Sequence, residues 1–284
     1  MHEPNILVFD SGLGGLTVYD EITKLRPHAN YLYVADDAAF PYGRLSEAQV
    51  IDRVNTVMSR LIAETKPAIV IIACNTASTL VLPHLREKWP DLPFVGTVPA
   101  IKPAAELSET RVITVLATPG TVTRDYTQAL IRDHAAHCHV TLIGSDQLAS
   151  LAEAHMHGDE PADDDIIHEL APCFIEHKGK RTDQIVLACT HYPLLLPRFA
   201  ALAGKSVGWK VNFIDPAPAI ARQTDRILSQ RGYLHTGSND AADGESGNSA
   251  FFTSGVAPDD RLLNILSRYG LKKTREGCIS FAGL

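Results

Sequence analysis

Short apolar runs alternate along the chain with longer amphipathic stretches. The apolar runs are rich in β-branched residues and have the length of buried strands. They predict strands at Asn5–Phe9, Tyr31–Ala35, Ala68–Ala73, Phe94–Val95, Arg111–Leu116, His139–Ile143, Gln184–Ala188 and Lys210–Ile214. The stretches between them predict helices such as Leu16–Lys24, Ser46–Glu64, Thr76–Lys88, Thr121–Ala136, Asp163–Glu176 and Pro216–Gln230. Because apolar strands separated by helices are typical of a parallel sheet covered on both faces, the pattern predicts an α/β fold.

Two segments of the chain resemble each other. Residues 68–79 read AIVIIACNTAST, and residues 184–195 read QIVLACTHYPLL. Each is a buried strand that ends in Ala-Cys and is followed by a polar, Thr-containing turn and a helix start. Cys74 and Cys189 are 189 − 74 = 115 residues apart, which is about one domain length. The chain is therefore expected to contain two comparable halves.

The two halves are expected to form two lobes, one of them discontinuous. We predict one lobe from residues 1–97 plus 209–284 and a second lobe from residues 98–208. Residues 237–249 read GSNDAADGESGNS, a composition that favours a flexible surface loop. After this loop, the letters FFTSG and RLLNILSRYGL predict a further strand and a terminal helix.

Composition narrows the class of protein. The chain has 284 residues, a formal net charge of −7, 45% hydrophobic residues and 21% charged residues, as in an ordinary globular protein. The acidic balance argues against a protein built mainly to hold nucleic acid. An acidic substrate stays compatible with it, because a site can be locally positive or built from backbone amides. Five scattered cysteines are too few for a disulfide scaffold.

No targeting or membrane segment is recognisable. The opening letters, MHEPNILVFD, lack a basic stretch followed by a long apolar stretch, so no secretory signal is predicted. No apolar run approaches the roughly 18 residues that a membrane span requires. We expect a cytoplasmic protein with reduced thiols and no membrane partner.

The paired Ala-Cys strand ends carry the candidate chemistry. In open α/β sheets, ligands bind beyond the carboxyl ends of the strands, which is where Cys74 and Cys189 are predicted to lie. Two opposed thiols suit inversion of a stereocentre, because one thiolate removes a proton while the other thiol donates one. Asp10, Ser11 and His191 are neighbours that could tune these thiols. A buried structural role is the alternative for each cysteine.

Four motifs in order resemble those of one enzyme family. The letters FDSGLGGLTV (9–18), PYG (41–43), ACNTAS (73–78) and ACTHYPLL (188–195) are similar to the cofactor-independent glutamate racemases of the aspartate/glutamate racemase family. The resemblance implies two pseudo-symmetric, mostly parallel α/β lobes with the amino acid held in the cleft between them. It also implies an isomerase that interconverts L- and D-glutamate without a cofactor or metal and supplies D-glutamate for peptidoglycan.

The resemblance also implies roles for individual residues. Cys74 would act on the D-enantiomer and Cys189 on the L-enantiomer, assisted by Asp10 and His191. The implied substrate-binding residues are Asp10, Ser11, Tyr42, Gly43, Asn75, Thr76, Thr118, Thr121, Thr190 and His191. Asp36 and Glu153 are implied as supporting polar groups. The chain departs from the family at Asp37, where a threonine is common, so contacts at this edge stay open.

The chemistry of these residues suits a substrate with two carboxylates. Hydroxyls and amides bind a carboxylate without adding a full positive charge. Backbone N–H groups at Gly43 and at the helix starts after each cysteine add oriented dipoles. Because no electron-sink cofactor is apparent, such donors would have to stabilise the carbanion-like transition state.

Three other segments have some, but not all, features of known ligand sites. Gly12-Leu13-Gly14 follows a strand and Asp36 comes 36 − 12 = 24 residues later, as in dinucleotide-binding folds, but Thr17 replaces the third glycine. The HAAHCH segment at 134–139 is poorly spaced for a closed zinc site. Gly204-Lys205-Ser206 lacks the earlier glycine of a phosphate loop.

Two functional alternatives remain open. An aspartate racemase, or another amino-acid racemase of the same family, would use the same two-thiol chemistry. A two-lobed amino-acid-binding sensor would explain the hydroxyl-rich strand ends but would not need matched cysteines. A homodimer is the candidate assembly.

Overall fold

The computed structural model describes residues 3–233 and 247–274, so most of the loop predicted at 237–249 lies outside the described residues. The chain divides into two compact units, Met1–Thr97 with Ala217–Leu284, and Val98–Pro216. The second boundary is later than the predicted one at 208/209. The strand Asn212–Ile214 pairs with the strand Gln184–Ala188, so it belongs to the second unit and not to the first.

The first unit contains a six-stranded sheet in the order β12-β11-β2-β1-β3-β4, in which every pairing is parallel. Its strands are β1 Asn5–Asp10, β2 Asn30–Ala35, β3 Ile69–Ile72, β4 Phe94–Gly96, β11 Ser249–Phe252 and β12 Lys273–Thr274. Its helices are α1 Leu16–Leu25, α2 Glu47–Thr65, α3 Asn75–Lys88, α10 Ala217–Gln230 and α11 Asp260–Arg268. Because β1 and β3 are buried along almost their whole length, they are continuously apolar and not alternating.

The second unit contains a four-stranded parallel sheet in the order β10-β9-β5-β6. Its strands are β5 Val112–Ala117, β6 His139–Gly144, β9 Gln184–Ala188 and β10 Asn212–Ile214, and a small antiparallel hairpin adds β7 Glu176–His177 and β8 Lys180–Arg181. Its helices are α4 Ile101–Leu107, α5 Pro119–Val122, α6 Asp125–His134, α7 Leu148–Met156, α8 Asp163–Leu170 and α9 Leu196–Ser206.

The predicted elements are largely confirmed, with three kinds of difference. The eight strands predicted with bounds are present with ends shifted by two residues or fewer, and the strand predicted at FFTSG is β11, Ser249–Phe252. The predicted helix 121–136 is two helices, because the backbone at Arg124 is extended and interrupts it. The predicted helix 163–176 ends at Leu170, where a short 3-10 helix containing Pro172 replaces it. The predicted elements did not include α4, α7 and α9.

The two sheets share one strand order. In each, the first strand lies beside the second on one side and the third on the other, giving β2-β1-β3-β4 in one unit and β6-β5-β9-β10 in the other. The predicted α/β fold with mostly parallel sheets is confirmed. Such a reversal of strand order opens a crevice at the carboxyl ends of the two central strands, where ligands bind in this class of sheet.

Among the helices of the described residues, none is long and apolar enough to cross a membrane.

Candidate active site

The first candidate sulfur lies at the strand-order reversal of the first unit. Cys74 stands between β3 and α3 and is 5% exposed, and its Sγ is 3.9 Å from the hydroxyl of Ser11, which follows β1. Asn75 opens α3 and is buried, yet neither its amide oxygen nor its amide nitrogen has a hydrogen-bond partner among the described residues. Buried amides are rarely left without partners, so Asn75 is placed to bind a polar ligand. Thr76 is buried beside it.

Asp10 ends β1 and is fixed by the start of the next helix. Its Oδ2 accepts the backbone N–H of Gly15 at 2.7 Å, immediately before α1. A Cβ at Gly15 would lie 2.7 Å from the Cβ of Asp10, so only glycine allows this approach. The carboxylate thus occupies the helix N-terminus that would bind a pyrophosphate in a dinucleotide fold. The geometry argues against the dinucleotide alternative.

In the Tyr42–Gly43 turn, the hydroxyl of Tyr42 is hydrogen-bonded within the protein. Tyr42 opens a short 3-10 helix, Tyr42–Arg44, and its hydroxyl donates to Asp36 Oδ2. Burial and the neighbouring Asp36 charge raise the pKa of Tyr42 well above its usual value, so the hydroxyl keeps its proton. Because the hydroxyl donates its hydrogen to Asp36, the backbone of this turn is the candidate donor for a substrate. Gly43 is partly exposed there.

Asp36 is a structural centre. It is fully buried, and the guanidinium of Arg53 on α2 binds it through Nη2 at 2.6 Å and Nε at 2.9 Å. The same contact raises the pKa of Arg53. Thr253, directly after β11, donates its hydroxyl to Asp36 as well. Both carboxylate oxygens of Asp36 accept hydrogen bonds from the protein. Asp36 therefore connects Tyr42 of the turn with Arg53 and Thr253.

The second candidate sulfur has an imidazole beside it. Cys189 follows β9 and is 7% exposed, and its Sγ is 4.0 Å from Nδ1 of His191. Nε2 of His191 is 2.8 Å from Oε2 of Glu153 on α7. A carboxylate accepts hydrogen bonds, so Nε2 carries the hydrogen and the lone pair of Nδ1 faces the thiol. His191 is therefore positioned to receive a proton from Cys189.

Threonines line the same edge of the second sheet. Thr118 follows β5, and Thr190 comes two residues after the end of the adjacent strand β9. Oγ1 of Thr118 is 3.0 Å from Oγ1 of Thr121. Thr121 is fully buried, and its carbonyl accepts the hydroxyl of Thr127. Thr118 and Thr190 are thus the candidates for substrate contact. Thr121 is hydrogen-bonded to Thr118 and fixes the position of its hydroxyl.

Sequence reasoning did not identify Arg53 and Thr253. Both act through Asp36, and each is far from it along the chain. Thr253 carried a usable signal, because it is a polar residue that directly follows an apolar strand, as Ser11 does at the end of β1. Arg53 carried none, since a single arginine in an amphipathic helix is ordinary.

The HAAHCH segment has other partners. Nε2 of His137 is 3.1 Å from Nη1 of Arg111, and the ring of His139 stacks on that of His177 with centroids 3.7 Å apart. Across residues 3–233 and 247–274, no group of three or more His, Cys, Asp or Glu side chains is placed to hold a metal ion.

Comparison with known proteins identifies the relatives of this chain. The profile of the Asp/Glu/Hydantoin racemase family matches residues 12–224. A glutamate racemase of Brucella anthropi is 54% identical over 229 residues, 81% of each chain, and one of Rhizobium meliloti is 49% identical over 268 residues, 94% of this chain and 92% of that one. The crystal structure of Escherichia coli glutamate racemase in complex with L-glutamate and the activator UDP-MurNAc-Ala is 40% identical, with a TM-score of 0.83, covering 97% of this chain and 98% of that one.

Proposed function

Because this chain belongs to the Asp/Glu/Hydantoin racemase family, we propose that it interconverts L-glutamate and D-glutamate and supplies D-glutamate for peptidoglycan. Relatives named glutamate racemase support the choice of substrate. The same thiol chemistry would serve an aspartate racemase, so both amino acids belong in the assay. A cytoplasmic location and a homodimeric assembly complete the proposal; analytical ultracentrifugation tests the assembly.

The proposed reaction uses the two thiols in complementary protonation states. With L-glutamate, the Cys189 thiolate takes the α-proton, and the electron pair of the broken C–H bond stays on the α-carbon. The Cys74 thiol then donates its proton to the opposite face, so a new C–H bond forms with inverted configuration. The reverse reaction exchanges the two roles.

Neighbouring groups support each thiol. His191, held by Glu153, takes the thiol proton of Cys189 and so produces the thiolate. On the other side, Asp10 and Ser11 stand at the end of β1 next to the strand that carries Cys74. The amide of Asn75 and the hydroxyls of Thr76, Thr118 and Thr190 are donors for the substrate carboxylates and for the charge that develops on them.

One observation carries the proposal from the structure. Cys74 and Cys189 follow the third strand of two parallel sheets that share one strand order. A buried structural thiol has no reason to recur at this position, which is the ligand-binding edge of such sheets. An amino-acid-binding sensor would also need this edge, but it would not need the thiols.

The decisive experiment combines chiral analysis with solvent deuterium. Purified protein incubated with L-glutamate in D₂O, without added cofactor, should form D-glutamate that carries deuterium at the α-carbon. Cys74→Ser and Cys189→Ser should each lower racemisation at least about a thousandfold, because one of the two proton carriers is lost. L-Aspartate run in parallel tests the aspartate alternative.

Cys138→Ser is the matched control, because Cys138 is another free cysteine of the second unit and lies outside the candidate site. It should racemise like the wild type. Binding of glutamate without racemisation would replace the proposal with the sensor. Full activity in either Cys74→Ser or Cys189→Ser would refute the two-thiol mechanism.

A further inference from the structure

A buried carboxylate joins two distant parts of the first unit. The hydroxyl of Thr253 donates to Asp36 Oδ1 at 2.5 Å, although the two residues are 217 positions apart. Tyr42 donates to the other oxygen, and Arg53 binds both. The backbone repeats the connection, since Thr253 N–H donates to the carbonyl of Ala35 at 3.1 Å. The end of β11 is therefore tied to the segment that leads into the Tyr42–Gly43 turn.

Asp37 adds a second tie in the same place. Its Oδ1 accepts the backbone N–H of Ser254 at 2.9 Å, and its Oδ2 accepts the Ser254 hydroxyl. Ala38 N–H donates to Oγ1 of Thr253 at 3.4 Å. Asp37 is the residue that departs from the family pattern in the sequence. In this structure, the Asp37 carboxylate accepts hydrogen bonds from Ser254. Asp36 and Asp37 together thus bind Thr253 and Ser254.

The tied segment adjoins the residues proposed for chemistry. Asp36 N–H donates to the carbonyl of Asp10 at 2.8 Å. The ring of Tyr42 lies in the same buried core as Cys74, with its centroid 6.5 Å from that of Phe9. The Tyr42–Gly43 turn therefore adjoins the end of β1 and the core that contains the first thiol.

From these contacts we propose that Thr253 and Ser254 are positioning residues, which fix the Tyr42–Gly43 turn so that its backbone can bind the substrate. The inference rests on the proposed racemase function. Two of the three side chains that hold Asp36 come from residues 42 and 53. The third donor is the Thr253 hydroxyl, and its loss leaves a buried carboxylate oxygen short of a hydrogen bond, so the turn relaxes.

Thr253→Val tests this role, because it removes the hydroxyl and keeps the shape. The KM for glutamate should rise about tenfold while kcat changes less than about twofold, since the turn binds ground state and transition state alike. Thr253→Ser restores the hydroxyl and should restore the KM. Thr224→Val is the matched control, because Thr224 is also buried in the same unit and, among the described residues, its hydroxyl bonds to the carbonyl of Ile220.

Hydrogen exchange of the unliganded proteins provides a readout without activity. Amides of residues 37–45 should exchange faster in Thr253→Val than in wild type or Thr224→Val. Unchanged exchange, or faster exchange with an unchanged KM, would overturn the positioning role. If wild-type protein racemises neither glutamate nor aspartate, the proposed function fails, and the exchange rates still decide whether the Thr253 hydroxyl fixes this segment.

Discussion

Each of the two candidate thiols has a neighbour of a different chemical kind. Cys74 faces the hydroxyl of Ser11, whereas Cys189 faces an imidazole that is backed by a carboxylate. An imidazole takes up a proton near neutral pH, and a hydroxyl does not. We therefore expect formation of the Cys189 thiolate to depend on His191.

Replacing Glu153 with Gln tests this dependence. A glutamine amide can donate to Nε2 as well as accept from it, so the imidazole is no longer held in one tautomer. We expect kcat/KM to fall about tenfold to a hundredfold. Because L- and D-glutamate are equal in free energy, the fall must be the same in both directions, which assays started from each enantiomer would measure.

Glu160→Gln is the control for that variant. Glu160 also contacts a histidine of the second unit, with its Oε2 3.1 Å from Nδ1 of His155, but this pair lies outside the candidate site. Its activity should match the wild type. An equal loss in both variants would mean that general destabilisation, and not the state of His191, causes the effect.

The residues of the site differ in how far the sequence could define them. Cys74 and Cys189 were predictable because each sits in a local pattern of strand, cysteine and polar turn. Tyr42 stays a predicted substrate contact, but the hydrogen bond from its hydroxyl to Asp36 was not predictable from the sequence. Side-chain pairings between distant segments depend on how the strands assemble, and no local pattern records them.

At the scale of elements, the start of a helix is most predictable from the sequence where a side chain caps it. The predicted start of α2 at Ser46 is within one residue of the observed one, because Ser46 accepts Gln49 N–H and the Gln49 side chain accepts Ser46 N–H. By contrast, α6 begins after Arg124 without a side-chain cap hydrogen bond, and the predicted helix ran through that point.

Ser46→Ala should lower the free energy of unfolding by about 1 kcal/mol, because it removes one half of this capping box. Urea denaturation measures the change. Thr56→Ala provides the comparison, since Thr56 lies within the same helix and its hydroxyl bonds to the carbonyl of Asp52. That variant should be neutral or slightly stabilised, because alanine favours helix. Equal destabilisation in both would show that the cap contributes nothing.

At the scale of the whole molecule, the second unit interrupts the first. The first unit must join residues before Thr97 to residues after Ala217. Arg26, at the end of α1, makes one such connection to α10. Its Nε binds Asp225 at 2.6 Å, its Nη2 donates to the hydroxyl of Ser229, and its Nη1 donates to the carbonyl of Tyr233. The predicted strand pattern indicated α/β folding but contained no sign of this connection.

Arg26→Ala should lower the free energy of unfolding by about 2 kcal/mol, because it leaves Asp225 and the α10 acceptors without their charged donor. Lys24→Ala is the control. Lys24 is largely exposed and pairs only with Asp20 and Glu21 of its own helix, so its loss should cost less than about 0.5 kcal/mol. Thermal unfolding of both variants measures the difference in stability between them. Similar melting temperatures of Arg26→Ala and Lys24→Ala would contradict the prediction.

The position of β11 in the six-stranded sheet sets an order of events during synthesis. β2 pairs with β11, and Asp36 meets Thr253 only after translation has advanced 217 positions beyond Asp36. A nascent chain that has left the ribosome up to the end of the second unit already contains both candidate thiols. It still lacks the strand that completes the neighbourhood of the Tyr42–Gly43 turn. Efficient turnover should therefore begin only after Thr253 has left the ribosome, so a nascent chain that ends before this residue should convert little glutamate.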